Sequence, residues 1–164
     1  MTNDMTKGNP LKIFIFFSIP LLIGNVFQQL YSMVDTIIVG RFVGVDALAA
    51  VGSTGSMFFL VNGMILGLTS GFGVLVSQKF GAKDENGIKK AVASNISLTL
   101  ISTLIITVIA LLVKNPLLRM MNTPDNIFSS ANSYITIIFA GTITQALYNM
   151  SAGILRALGD SKTP

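Results

Sequence analysis

The chain has 164 residues, of which 51% are hydrophobic and only 11% charged, whereas about 25% of the residues of an average soluble domain are charged. With a mean hydropathy of +0.71, this composition excludes an ordinary soluble domain and predicts a membrane protein. The chain contains no Cys and no His, which excludes a disulfide framework and removes the commonest general base.

Apolar stretches predict an all-α, polytopic membrane protein with four transmembrane helices, each reaching the ~20 residues that a span needs. The predicted helices cover roughly residues 11–39, 47–78, 90–113 and 127–155. The stretches between them carry Gly, Pro, Asn and Asp, which favour turns, and are predicted to be connectors rather than domains. The first apolar run is too long for the core of a typical signal peptide and is predicted to stay as a membrane anchor.

The first predicted helix carries a single charged residue, Asp35, between Ile13 and Val39. An Asp at the centre of a membrane helix costs roughly 2.5 to 3.5 kcal/mol to insert, and such residues usually face a polar interior or an ion path. We therefore expect Asp35 to couple a proton or a cation, with Na+ as the one candidate metal ion. In the alternative interpretation, Asp35 lies close enough to Gly40 and Arg41 to reach the outer interface and is simply solvated there.

Polar residues share one side of this helix. At about 100° per residue they fall within an arc about 100° wide, while Ile and Phe dominate the remaining surface. The residues of this stripe are Ser18, Asn25, Gln28, Ser32 and Asp35. They are predicted to line a polar cleft, although such side chains also bond neighbouring helices at ~0.6 kcal/mol per contact. Pro20 removes one backbone hydrogen bond and is predicted to bend the helix, as a hinge or as a static kink.

In the second predicted helix, Gly63, Gly67 and Gly71 form a GxxxGxxxG pattern. The bare ridge that this spacing creates lets another backbone approach closely, so these glycines are predicted to pack helices together. Tightly apposed helices can also be the surfaces that slide. The third predicted helix is apolar nearly all round and is predicted to face lipid, with its Ser and Thr hydroxyls bonded back to their own helix.

The fourth predicted helix carries a second polar stripe, in which Thr142, Gln145 and Asn149 follow one another at spacings of three and four. If this stripe faces the first one, the two enclose a polar cleft with Asp35 near its outer end. The residues predicted to line the substrate cleft are Asn25, Gln28, Ser32, Gln145 and Asn149. For each of them, hydrogen bonding between helices is the alternative role.

The distribution of Lys and Arg predicts the orientation in the membrane. With a cytoplasmic N-terminus, cationic residues concentrate inside, as the positive-inside rule requires. The inside group is Lys7, Lys12, Lys79, Lys83, Lys89, Lys90, Arg156 and Lys162, and the outside group is Arg41, Lys114 and Arg119. Both chain ends are therefore predicted to be cytoplasmic. Because the cationic residues lie between apolar segments, the net charge of +4 does not indicate a nucleic acid partner.

The predicted spans lack the groups that catalysis requires. An intramembrane hydrolase needs a nucleophile with a base, paired carboxylates or metal ligands, and the four spans hold one Asp between them. A phosphate-cradling glycine motif beside a Lys is also absent, so neither direct coupling to ATP nor a cofactor is predicted. A shielded carboxylate can exchange a proton or hold a small cation as a conformational change alters its exposure. The sequence therefore predicts an ion-driven transporter and not an enzyme.

Three runs of the sequence resemble the multidrug and toxic compound extrusion (MATE) family of membrane antiporters. They are IPLLIGNVFQQLYSMVDTIIVGRFVGVDALAAVG, then VLVSQKFGAKD, and finally ILRALGDSKTP. The resemblance spans essentially the whole chain, but only about the first third of a family pattern with twelve helices in two lobes. It implies that Asp35 is the first-helix carboxylate of ion coupling, and that Gln28 and Asn149 lie toward the central cleft.

The resemblance implies that residues 1–164 form part of the amino-terminal lobe of an exporter, which moves cationic or amphipathic small molecules in exchange for H+ or Na+. The expected location is the plasma membrane, of the bacterial inner-membrane type. Because ILRALGDSKTP leads into a fifth helix in the family, we expect a truncated transporter whose remaining helices or a second copy complete it. The alternatives are a small four-helix exporter active as a homodimer and a non-transporting membrane fragment.

Overall fold

The computed structural model describes residues 10–161 and 163, and this part of the chain is helical throughout apart from short turns. Its elements in chain order are α1 (Pro10–Ile38), a π-helical segment (Val39–Val43), α2 (Val45–Gly81), α3 (Glu85–Met120), α4 (Asp125–Ala140) and α5 (Thr142–Ala157). The prediction of an all-α fold is confirmed.

By length and composition, three of these helical segments can each cross a membrane, and counting α4 and α5 as one bent span gives four. Leu11–Val43, α2 and α3 are each long and apolar enough to cross a membrane, and α4 and α5 pass the same test together as one bent span. The number of spans agrees with the sequence prediction, but α3 is longer than the predicted 90–113. Asp84 begins it by accepting a hydrogen bond from the backbone N–H of Gly87 at 2.8 Å, a capping interaction that hydropathy does not register.

The fourth span is not the single helix predicted over 127–155, because it bends by 42° between α4 and α5. The bend lies at Gly141, a residue type that weakens helices by about 1 kcal/mol relative to Ala. The hydroxyl of Thr142 donates a hydrogen bond to the carbonyl of Phe139 at 2.7 Å. Hydroxyl groups that bond back to the preceding turn bend helices, which accounts for a break at this position.

Helix α2 forms the centre of the bundle and contacts α3, α4 and α5. Its buried residues recur at spacings of three and four along one face. They are Ala50, Thr54, Met57, Val61, Ile65, Thr69, Gly73 and Val76. Ile65 meets a core to which Leu118, Ile135 and Phe139 contribute, all of them at most 1% exposed. The packing of these faces holds α2 to α5 together as one body.

The glycine ridge does not lie on this packed face. A side-chain carbon built at Gly63, Gly67 or Gly71 would meet nothing within 4 Å. No helix of the described chain packs on this ridge, and the larger residues of the neighbouring face make the contacts instead. The role of these glycines in helix packing stays a prediction. Since the ridge is exposed, it presents a bare backbone surface to the surroundings of the bundle.

Helix α3 corrects a second expectation, because it does not face lipid on all sides. Asn95, Thr99 and Thr103 are buried on the side that packs against the bundle, while the opposite side exposes apolar residues. The hydroxyl of Thr99 donates to Oδ1 of Asn95 at 3.2 Å. The predicted bonds of hydroxyls to their own helix are present on the outer face, where Ser102 donates to the carbonyl of Leu98 at 2.6 Å.

Helix α1 stands apart from this bundle. None of the residues described from Leu11 to Val43 is buried, and the extensive contacts of α1 are with the π-helical segment. That segment packs on α2, and Gly44 follows it with a φ of 115°, a conformation that glycine adopts without strain. Pro20 lies inside α1, which is assigned as one helix from Pro10 to Ile38, so its role as a hinge stays a prediction.

Candidate functional site

Asp35 lies on an exposed position of α1, four residues before the π-helical segment begins. The helix around it is assigned without interruption, and the hydroxyl of Thr36 bonds back to the carbonyl of Ser32 at 2.8 Å. The described chain therefore leaves the Asp35 side chain open on its outer face, accessible to an ion or to a further helix.

Tyr134 on α4 lies near enough to Asp35 of α1 for the two groups to interact electrostatically. Its ring is half-buried, on the side of α4 next to the core residue Ile135. The sequence analysis missed Tyr134, because a lone Tyr within an apolar stretch carries no charge signal. The signal that was available is its phenol, which needs a polar partner inside a membrane.

The two predicted polar stripes are not brought together within the described chain. Asn25, Gln28 and Ser32 remain exposed on α1, and α5 makes its extensive contacts with α2 and α3. The stripes stay apart because α1 is attached to the bundle mainly through the π-helical segment, which packs on α2. The assignment of these three residues to a substrate cleft stays a prediction.

Gln145 does line a cavity, which lies at the bend between α4 and α5. The cavity measures about 180 Å³. Its walls are formed by Phe58, Val61, Asn62, Thr142 and Gln145, together with residues 137–139 and 141. Oδ1 of Asn62 is buried and has no hydrogen-bond partner in the described part of the protein. A buried acceptor without a partner is costly, which marks this wall of the cavity as a place where a donor fits.

The sequence analysis did not include Asn62 among the predicted cleft residues. The available signal was its amide group, which lies within the apolar second helix. Beside the cavity, the hydroxyl groups of Thr107 and Thr142 lie 2.6 Å apart and join α3 to α5. Thr142 therefore belongs to the packing between helices, the alternative that the sequence left open for the second stripe. Gln145, by contrast, is exposed toward the cavity.

Asn149, the next residue of the predicted stripe, is half-buried on α5. Its Nδ2 is buried without a hydrogen-bond partner among residues 10–161 and 163, and the same holds for Nδ2 of Asn95 on α3. Two amide donors and the Asn62 acceptor therefore lie unpaired within one bundle. Buried polar groups of membrane proteins usually pair across helices or face a polar path.

Lys114 is a further polar residue with an unexpected environment. The sequence places it in an external connector, whereas the structure places it within α3 and half-buried. Its Nζ donates hydrogen bonds to Oδ1 of Asn132 and to Oγ1 of Thr136 on α4, at 2.5 and 2.6 Å. These bonds fasten α3 to α4 through a cation.

This arrangement suits binding and release rather than bond making. An accessible carboxylate, a nearby phenol and unpaired amides can exchange a proton or hold a cation or a polar group, and none of them forms a nucleophile with a positioned base. The candidate site thus consists of Asp35 with Tyr134 on one side of the bundle and the cavity of Asn62 and Gln145 at the helix bend.

Comparison with known proteins identifies the family. Residues 20–164 match the family described as MatE. Among curated proteins, the chain is 35% identical over 164 residues to the probable multidrug resistance protein YoeA of Bacillus subtilis (strain 168), covering 100% of this chain and 35% of that relative. It is 32% identical over 161 residues to the probable multidrug resistance protein YpnP of the same strain, covering 98% of this chain and 36% of the relative.

Solved structures give the same result. A crystal structure of MATE in complex with MaD3S is 30% identical and superimposes with a TM-score of 0.87, covering 98% of this chain and 37% of that chain. A structure of MATE in the bent conformation, at 30% identity, gives a TM-score of 0.86 over 98% of this chain and 36% of that one.

The chain spans about a third of the length of the curated relatives that it matches. Both its sequence and its fold follow those relatives over almost all of its own length. The prediction from the sequence motifs is confirmed: this multi-pass membrane protein belongs to the MATE family, whose members are transporters and not enzymes.

Proposed function

We propose that residues 1–164 form the first four spans of the amino-terminal lobe of a multidrug exporter, which moves cationic or amphipathic molecules in exchange for H+ or Na+. The relatives named as multidrug resistance proteins support efflux in general. In this proposal the protein resides in the plasma membrane with both ends of the chain cytoplasmic. The concentration of Lys and Arg at one end of the spans supports that orientation.

Asp35 carries the proposal. It is an acidic residue on a helix that is otherwise uncharged from Ile13 to Val39, and its side chain is exposed on the described chain. Binding of a proton or a sodium ion neutralises the carboxylate, which changes its electrostatic interaction with the groups around it. In this proposal, an ion at Asp35 therefore biases the position of α1 relative to the bundle.

Substrate contacts are proposed for the amides. Asn25, Gln28 and Ser32 on α1 face outward, so they are available to a molecule held between this lobe and another body. Gln145 and the unpaired Oδ1 of Asn62 line the cavity at the bend. An ammonium group is a suitable occupant because it supplies the hydrogen-bond donors that Asn62 Oδ1 lacks.

The test uses a chimera in which this chain replaces the corresponding first third of YoeA, its 35% identical relative. In proteoliposomes, the chimera is expected to export a cationic dye when a pH or Na+ gradient is imposed. Asp35→Asn is expected to abolish gradient-driven export, because an amide cannot take up or release the coupling ion. Running each gradient alone identifies the coupling ion.

Asp46→Asn is the matched control, since Asp46 lies in the first turn of α2, outside the first span. This variant is expected to retain export, and both variants are expected to insert at the same level. Unchanged export by Asp35→Asn would contradict the role of Asp35. Absence of export from the unsubstituted chimera would contradict the assignment of the chain to an exporter.

A second candidate is a homodimer of the chain that transports by itself. It is favoured by the exposure of α1 along its whole length and by the open glycine ridge, since both surfaces lack a covering helix. The same exposure also fits the remaining helices of a longer exporter. Dye flux into vesicles that contain only this chain, with crosslinking to detect a dimer, separates the two, and an absence of flux excludes the homodimer.

A further inference from the structure

A cavity lies between the ends of α2 and α3, at the turn that joins them and far from Asp35 along the spans. It measures about 310 Å³. Its lining combines polar residues with apolar ones. The polar residues are Lys79, Asp84, Asn86, Lys90 and Ser94, and the apolar ones are Leu75 and Ala91. The transport proposal uses none of these residues.

The two lysines of this cavity differ in their electrostatic environment. Nζ of Lys79 forms an ion pair with Oδ2 of Asp84 at 3.3 Å, and Oδ1 of Asp84 accepts a hydrogen bond from the N–H of Gly87 at 2.8 Å. Lys90 forms no ion pair within the described residues. Asp84 is thus engaged by Lys79 and the helix start, which leaves Lys90 as an uncompensated cation in the cavity wall.

Aliphatic side chains are exposed on both helices near the cavity. Leu75 of α2, which lines the cavity, is 46% exposed, and Leu98, about one turn beyond Ser94 on α3, is 47% exposed. A ligand that fits both the polar and the apolar residues of the lining carries a negative charge and hydrogen-bond acceptors at one end and a hydrocarbon chain at the other.

We propose that this cavity binds the phosphate headgroup of an anionic glycerophospholipid from the adjoining leaflet, with an acyl chain along Leu75. Lys90 supplies the charge, while the amide of Asn86 and the hydroxyl of Ser94 donate hydrogen bonds to the phosphate oxygens. Basic pockets between transmembrane helices bind anionic headgroups by this chemistry. The inference does not depend on the transport proposal.

The membrane itself argues for a lipid as the occupant. The cavity lies at the end of two spans, where lipid headgroups are the most concentrated anions. Its apolar residues contact an acyl chain favourably, whereas a soluble phosphate has no apolar group to place against them. Lys83 and Lys89, on the same turn and helix, lie outside the cavity lining. They attract anionic lipid in general but do not shape a site.

The experiment exploits the absence of Trp from the chain. Leu75→Trp places a single fluorophore in the cavity wall, and the chain is reconstituted in vesicles that contain brominated phosphatidylglycerol or brominated phosphatidylcholine. Stronger quenching by the brominated phosphatidylglycerol at equal mole fraction is expected. Quenching should persist in excess inorganic phosphate, whereas relief of quenching by phosphate would assign the cavity to a soluble anion and overturn the proposal.

Lys90→Gln and Lys89→Gln form a matched pair, because each removes one positive charge from adjacent positions of α3. Lys90→Gln is expected to reduce the preference for phosphatidylglycerol about fivefold, the effect of one Lys near an anionic surface. Lys89→Gln is expected to change it much less, and Lys90→Arg to preserve it. Equal losses in the two Gln variants would show diffuse attraction by the basic turn and would overturn the site.

A second measurement does not need the Trp reporter. Native mass spectrometry of the unlabelled chain, released from mixed micelles, is expected to retain one phosphatidylglycerol more often than phosphatidylcholine, and Lys90→Gln is expected to remove that difference. Equal retention of both lipids by the unsubstituted chain would contradict the proposal even if Leu75→Trp failed to fold.

Discussion

Helix α1 and the bundle of α2 to α5 differ in how their side chains are packed and hydrogen-bonded. In the bundle, side chains such as Ile135 are fully buried and the hydroxyls of Thr107 and Thr142 pair across helices. In α1, none of the described side chains is buried, and Asn25 and Gln28 are exposed. The bundle completes its own packing, and α1 does not.

This contrast indicates which helix is expected to move during function. A helix that contacts its neighbours weakly changes position at a lower free-energy cost than a helix buried in a core. Asp35 lies on the weakly packed helix, while Tyr134 lies on the packed one. In the proposed mechanism, an ion at Asp35 would therefore act on the more easily displaced of the two regions.

The largest expected effect separates the two regions by their aromatic residues. Phe139 is 1% exposed and Phe27 is 67% exposed. Phe139→Ala is expected to lower the free energy of unfolding by about 3 kcal/mol, at the low end of the range for a buried Phe because lipid replaces some lost contacts. Phe27→Ala is expected to change it by less than about 0.5 kcal/mol. Unfolding of the chain in mixed micelles by SDS, followed by circular dichroism, provides the measurement.

Equal effects of the two substitutions would break the comparison, because they would mean that α1 is packed as firmly as the bundle. Because both substitutions remove the same atoms, a difference between their effects reports the difference in burial between the two Phe side chains.

The next effect concerns the cation that joins α3 to α4. Lys114→Met keeps the length of the side chain but removes its hydrogen bonds to Asn132 and Thr136. We expect a loss of about 2 kcal/mol, the value of hydrogen bonds to a charged group. Arg119→Met is the control, since Arg119 lies near the end of the same helix with its guanidinium over the ring of Phe128. A loss no greater than that of the control would show that Lys114 is solvated rather than structural.

The sequence predicted the four spans because hydropathy reports how much apolar length a helix offers, and that property is local. It did not predict the break at Gly141, where the hydroxyl of Thr142 bonds both to the carbonyl of Phe139 in α4 and to the hydroxyl of Thr107 in α3. The starting point of α3 was also missed, since the cap at Asp84 lies outside the apolar stretch.

The candidate site was also predictable only in part. Asp35 stands out in the sequence because a charge in an apolar helix is costly wherever the helix lies. Tyr134 and Asn62 do not stand out, because their importance comes from neighbours on other helices. The GxxxGxxxG spacing correctly predicts a bare surface, but a spacing cannot specify which helix covers it, and no helix of the described chain does.

A smaller effect is expected at the turn between α2 and α3, the most polar part of the bundle. The N–H of Gly87, and then the ammonium group of Lys79, hold the pKa of Asp84 below its ordinary value. The stabilisation by ionised Asp84 is therefore present above the ordinary pKa of an Asp and is lost as the pH falls through the lowered pKa. Acidification from pH 5 to pH 3 is expected to lower the melting temperature slightly.

Asp84→Asn is expected to remove much of this pH dependence while preserving the helix start, because Asn is as effective as Asp at that position. Glu85→Gln serves as the control, since Glu85 forms no ion pair in the described chain. If both variants retained the full acid sensitivity, the Lys79 to Asp84 pair would have no part in it.

The smallest effect is expected at the glycine ridge, a surface of α2 that is exposed as α1 is. Because a methyl group at Gly67 would meet nothing within 4 Å, Gly67→Ala is expected to leave the chain unchanged or stabilise it by up to about 1 kcal/mol, the helix preference of Ala over Gly. In the chimera with YoeA, the same substitution is expected to reduce export if further helices pack on the ridge. A destabilised isolated chain would show that another part of the chain already covers the ridge.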